Sequence, residues 1–152
     1  MKLATFLFTI MSILFLLTGC PYESTCSIDN LPKTPIDSTL LGTWVGVDFP
    51  QKGDVFSYKV FVFNKNEYMV EVIDINSKGS EREFYRAFIS NIKGTRIMNL
   101  QLISGNYSFI FLKYRLEEEV LYMSWLNDIY FKDKKVNTSD DLKKMIEGNS
   151  DN

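Results

Sequence analysis

Between Leu40 and Phe131 apolar and polar positions alternate in short runs, each closed by a polar or glycine-bearing break. This period-2 pattern belongs to strands. The runs are Leu40–Asp48, Val55–Phe63, Glu67–Ile73, Arg82–Ile92, Thr95–Ile103, Tyr107–Leu116 and Val120–Trp125, with a short eighth at Ile129–Lys132. Asn64-Lys65-Asn66, Asn76-Ser77-Lys78-Gly79, Lys93-Gly94, Ser104-Gly105-Asn106, Glu117-Glu118 and Asn127-Asp128 supply the turns between them. Connections this short imply antiparallel neighbours rather than parallel units with crossover helices. The expectation is a mainly β domain, an antiparallel meander of about eight strands closing as a barrel.

Two departures from clean alternation matter. The second run is apolar on both parities, with Phe56, Tyr58, Val60 and Val62 on one and Phe61 and Phe63 on the other. A strand wet on one side should not read this way, so its outer face needs a cover. The C-terminal segment is the candidate: Thr138 or Ser139 as N-cap, Asp140 and Asp141 in the first turn, Gly148 just beyond the end. Leu142, Met145 and Ile146 form one apolar stripe, which predicts a helix over about 139–147.

The amino terminus follows a different rule. An almost unbroken apolar run, Leu3 to Thr18, follows Lys2 and meets Gly19-Cys20. A spanning helix needs about 20 apolar residues, and this run is shorter and interrupted by Thr5, Thr9 and Ser12. Leu17-Thr18-Gly19-Cys20 resembles the lipobox of bacterial lipoproteins. The resemblance implies a cleaved signal peptide at 1–19, with the cut between Gly19 and Cys20, and acylation of Cys20. It further implies a protein held to a cell membrane by lipid, with the outer membrane of a Gram-negative bacterium as the expected location. Residues 20–39, which carry Pro21, Pro32 and Pro35, read as a lipidated, extended polar tether to a domain at 40–152.

Composition narrows the functional classes. The leader holds one of the 17 basic residues and none of the 19 acidic ones, which leaves the remainder at −3. That balance argues against nucleic acid as a partner and against electrostatic membrane binding through the domain itself. With Cys20 acylated, Cys26 stands alone, so neither an intrachain disulfide nor a disulfide-linked partner is expected. Histidine is absent, which removes histidine-based nucleophilic catalysis and histidine-ligated zinc.

Gly42-Thr43-Trp44, at the head of the first strand, resembles the opening Gly-x-Trp of lipocalins and lipocalin-like small barrels. In that family the tryptophan plugs the closed end, and Arg115 is the residue available here to stack on it. The layout also resembles that of uncharacterised small lipoproteins of Gram-negative bacteria. A pocket or plug would draw on Trp44, Phe61, Phe63, Phe109, Phe111, Tyr122 and Trp125.

Other patterns carry less. Asp74-x-Asn76-x-Lys78-Gly79 begins like a calcium loop, yet Lys78 occupies a ligand position and Tyr85 replaces the required bidentate glutamate; an Asx turn accounts for it. Asp37-Ser38-Thr39 resembles an acceptor triplet for bacterial O-glycosylation, and a polar approach to the first strand accounts for the same residues. Glu71, Glu81, Glu83 and Glu117–Glu119 sit at turns or strand ends, where solvated faces are expected rather than a catalytic pair. Lys132, Asp133, Lys134 and Lys135 form a small basic cluster. No metal and no cofactor are expected. The chain is therefore read as a non-catalytic binding or accessory module of the cell envelope, taking a protein or an apolar small molecule. The alternative is an inhibitor or immunity-like lipoprotein acting through a protruding loop.

Overall fold

The computed structural model describes residues 21–48, 54–76, 82–131 and 136–149. The leader, Cys20, Glu81, Ser77-Lys78-Gly79 and the Lys132–Lys135 cluster lie outside them. The strands are β1 (Glu23–Ser24), β2 (Gly42–Asp48), β3 (Asp54–Asn64), β4 (Glu67–Asp74), β5 (Arg82–Ile92), β6 (Thr95–Leu102), β7 (Phe109–Glu117) and β8 (Val120–Trp125). Among the described residues one α-helix, α1, covers Ser139–Asn149. All strand pairs are antiparallel, in the order β1-β7-β6-β5-β4-β3-β2, with β8 also on β7.

The meander is thus present, but its closure is not. Strand β2 forms one edge, β1 and β8 share the other, and among the described residues no ladder joins the two. The eighth strand also differs from expectation. Asp128–Phe131 is a 3-10 turn, because the place beside Phe109 and Ile110 is taken by β1.

Local chemistry explains the turns. Lys93 and Gly94 have φ of 49° and 84°, the pair of positive values that suits a two-residue hairpin. Asn66 N–H donates to Asn64 Oδ1 at 2.9 Å, and Asn76 N–H to Asp74 Oδ1 at 2.9 Å. The latter is the Asx turn that replaces the calcium loop. Thr138 caps α1 through Oγ1, which accepts from Asp141 N–H at 3.1 Å. The helix runs through Gly148 to Asn149 instead of stopping before it.

Strand alternation divides the sheet into two faces with two cores. The inner face carries Val60, Tyr68, Val70, Ala87, Ile89, Met98, Leu100 and Leu112, all buried together with Leu40. Trp44 of β2 and Leu121 of β8, from opposite edges, both pack on this cluster. Among the described residues the outer face is covered over β5–β7. There Ile92, Ile97 and Phe111 are buried by Ile28, Leu126, Phe131, Leu142 and Ile146.

Helix α1 therefore covers a different place from the one expected. It lies over Ile92, Ile97 and Phe111, and Phe61 and Phe63 remain exposed. The physical reason is charge. The outer face near Phe61 holds Lys59, Glu67, Glu71, Arg82 and Arg86 in ion pairs. Docking an apolar stripe there would strip water from these groups, whereas Ile92, Ile97 and Phe111 carry no such cost.

Candidate functional site

Residues 21–41 are laid on the sheet and form a strap. Pro21 makes an isolated bridge to Asn127, and Tyr22 N–H donates to Leu126 O at 2.8 Å. The Tyr22 ring stacks on Phe131 with centroids 3.9 Å apart and on Phe111 at 6.1 Å; burial raises its pKa. Further along, Ile28 N–H donates to the Oδ1 of Asn99 at 2.8 Å, while Asn99 Nδ2 donates to Ser90 Oγ at 3.0 Å and Phe88 O at 3.3 Å. Asn99 and Ser90 are fully buried, so this amide is satisfied only with the strap in place. The strap is locked in turn to the helix region: Cys26 Sγ donates to Asn137 O at 3.2 Å, and Lys143 Nζ lies 3.4 Å from Asp29 Oδ1. The segment read as a tether is thus part of the outer core from Pro21 onward.

The far end of the strap crosses onto the inner face. Asp37-Ser38-Thr39 forms a capped 3-10 turn in which Asp37 Oδ1 accepts from Thr39 N–H and from its hydroxyl at 2.6 Å. Asp37 also pairs with Arg96, and its own N–H donates to the Tyr68 hydroxyl. The Thr39 hydrogen bond, joined by Arg96, holds the Asp37 carboxyl below its ordinary value. Beside Arg96 the Tyr114 hydroxyl is buried, with no partner in good hydrogen-bonding geometry among the described residues. Burial pushes Tyr114 up to about 12, although the Arg96 charge opposes the shift.

The seven candidate pocket residues do not share one place. Trp44 is on the inner face, its Nε1 donating to Leu40 O at 2.9 Å. The neighbouring Gly42 takes a φ of 124°, which an L side chain rarely adopts; this supplies the bend into β2. Phe61 and Phe63 are exposed, Phe63 within the β-bulge between Val62 and Asn64. Phe109 and Phe111 lie under the strap and helix. Tyr122 and Trp125 are exposed on β8. Arg115 does not reach Trp44: its guanidinium sits 4.9 Å over the Tyr122 ring and 3.1 Å from Glu117.

What the sequence did not point to is a shallow, open cleft of about 510 Å³ at the far end of β7. Its walls include Gly94–Arg96, Lys113–Leu116 and Tyr122–Ser124. Strand register explains it. The β6–β7 ladder ends at Ile97–Lys113, although β6 begins at Thr95 and β7 continues to Glu117 paired with β8. The two strands splay there, between cationic side chains. No spacing rule locates such a gap, because it depends on where a ladder stops.

The carboxylates are tied individually. Glu71 is buried against Arg82 at 3.1 Å and Lys59 at 3.8 Å, so it is not the solvated side chain expected. Glu67 pairs with Arg86. Glu83 accepts from the Tyr85 hydroxyl at 2.8 Å, and burial, helped by Glu83, raises Tyr85. Among the described residues no group of three or more acidic or cysteine side chains is placed to hold a metal, and no helix is long and apolar enough to cross a membrane. Compared with known protein families, with curated proteins and with solved structures, the chain matches none.

Proposed function

We propose that this chain is a lipid-anchored protein of the cell envelope acting as a non-catalytic binding module, with a protein partner on the outer face of β2–β5. The observation that carries the reading is the bare apolar patch there: Val45, Phe61, Phe63 and Phe84 are 68%, 48%, 55% and 42% exposed. These residues share one sheet without forming a continuous apolar area, and large apolar side chains left in water among charges are what an interaction surface can use. Phe61 pairs with Met69, which pairs with Arg86, and Lys59 pairs with Glu71, which pairs with Phe84, so the aromatics alternate with ion-paired side chains across three strands. A partner would gain apolar burial from the rings and specificity from the charges.

The barrel remains part of this proposal. The packing of Trp44 and Leu121 on one inner cluster supports a sheet curled toward closure, with the lipocalin-like tryptophan as its plug. Inner side chains pack on one another, which favours a protein partner over a small guest. A second reading, inhibition through a loop, draws on the β6–β7 connection, where Ile103 is exposed and Tyr107 is 88% exposed.

Two measurements test the proposal. Cells grown with labelled palmitate should label the wild-type chain and not Cys20→Ala; absence of label in wild type removes the anchor. A photoreactive residue at position 61 should give a discrete protein adduct that the same probe at position 119 does not; equal labelling removes the patch, and an adduct specific to position 107 favours the loop reading.

A further inference from the structure

The lipid attachment implied by the lipobox and the cleft at β7 are close in the fold. Cys20 is covalently joined to Pro21, so their Cα atoms are about 3.8 Å apart, and Pro21 is fixed opposite Asn127. Asn127 follows Ser124, a residue of the cleft wall, by three positions, about 10 Å of extended chain. Along the outer side of β7, Phe111 lies beneath Tyr22. Lys113 and Arg115 continue the same alternate row into the cleft. The strap leaves almost no slack between the acylated residue and this surface.

The chemistry of the surface suits a bilayer interface. Lys113 takes part in no ion pair found among the described residues, and the contact of Arg115 with Glu117 is between exposed groups, a pairing of small worth that a phosphate can replace. On the same face as these cations β8 presents Val120 and Tyr122 to solvent, while Met123 and Trp125, paired with Tyr114 and Leu112, are exposed from the other face of the same edge strand. Tyrosine and tryptophan favour the headgroup level of a membrane, where one end of the ring is apolar and the other wet.

We propose that the domain lies against its own membrane through β8 and the adjoining cleft, with Lys113 and Arg115 binding the phosphate oxygens of lipid headgroups. The inference rests on the anchored reading above and adds an orientation to it. The domain's overall acidity does not oppose this, since attraction to anionic lipid falls off within a Debye length and depends on the local surface.

The test uses the full acylated protein in vesicles of phosphatidylcholine alone or with about a third phosphatidylglycerol, each carrying a headgroup spin label. Trp125 fluorescence should be quenched, more strongly in the anionic vesicles, and the Trp125→Phe variant should lose that quenching while Trp44 remains unquenched. The Lys113→Gln/Arg115→Gln variant should lower the docking constant in anionic vesicles roughly twenty-five-fold, from about fivefold per cation, with its unfolding midpoint unchanged. Quenching equal to that of Trp125→Phe, or a docking constant untouched by the double variant, overturns the proposal. So does a fluorescence response to inorganic phosphate that vesicles fail to produce, which would make the ligand a soluble anion. Mass analysis of the N-terminal peptide separates the two ideas: an unacylated terminus defeats the anchor, whereas an acylated but unquenched protein defeats the docking.

Discussion

The outer face of this sheet has two halves built from similar strands with opposite fates. Over β5–β7 the side chains Phe88, Ile92, Ile97 and Phe111 are buried beneath the strap and α1. Over β2–β4 the outer side chains include Val45, Phe61 and Met69 among ion pairs, and no described element covers them. Aromatic content does not separate the halves. The distribution of charge does: one half can be dried at little cost, the other cannot unless a partner meets its ions. The lesson is that the cover went where desolvation was cheapest, and the rings left in water are the ones held among charges.

The comparison can be broken most directly at Phe111. Phe111→Ala should cost about 3–5 kcal/mol, the range for deleting a buried aromatic ring, read as a fall in urea midpoint with the slope unchanged. A cost below about 1 kcal/mol would mean that the strap and helix adapt to the loss, and the covered half would not be a tight core.

Asn99→Ala tests the strap itself. It leaves Ile28 N–H and the Ser90 hydroxyl without the partner they have now, at about 1–3 kcal/mol. Hydrogen exchange should accelerate at Ile28 and Tyr22 before it does at Ile89. Uniform acceleration across the sheet would show that the strap opens only with the whole domain.

The other pin of the strap, Asp37, gives a smaller and pH-dependent effect. Its folded pKa lies below the ordinary one, so its contribution is fully present above pH of about 4 and disappears as pH falls through the lowered value. Much of the ion pair is exposed, so solvent screening keeps the contribution under about 1 kcal/mol. Asp37→Asn should flatten the acid side of the stability profile and leave neutral-pH spectra unchanged. Tyr114 bounds the alkaline side: with its pKa at about 12, its stabilising burial persists below its ordinary value near 10 and is lost as pH rises through 12. In an absorbance titration Tyr114→Phe should remove one late-ionising phenol.

The smallest effect is the sharpest contrast. Phe61→Ser with Phe63→Ser should change stability by less than about 0.5 kcal/mol each, while lowering the binding of a hydrophobic dye. A loss as large as that for Phe111 would show the patch to be covered within the molecule.

Strands β2 to β8 were legible because side-chain period and turn residues act over a few positions, and Lys93-Gly94 or Asn64-Lys65-Asn66 specify their turns with no help from elsewhere. Helix α1 was legible for the same reason, through Thr138, Asp141 and the stripe Leu142, Met145, Ile146. Where that stripe docks was not. Nor was the strand at Glu23–Ser24, since two residues carry no period and acquire one only by lying along Phe109 and Ile110. The candidate pocket residues were chosen for being large and aromatic, a property shared by both cores and by the bare patch, so composition could not sort them.

By itself, then, the order of residues settled the places of β2 to β8 to within a few residues, the hairpin connections between them and the C-terminal helix, all consequences of interactions between near neighbours. Only the assembled sheet decided which outer half is dry, which segment supplies β1 and where β6 parts from β7. Those outcomes turn on competition among distant surfaces for the same burial and the same unpaired backbone, and such a contest has no record in any short stretch of chain.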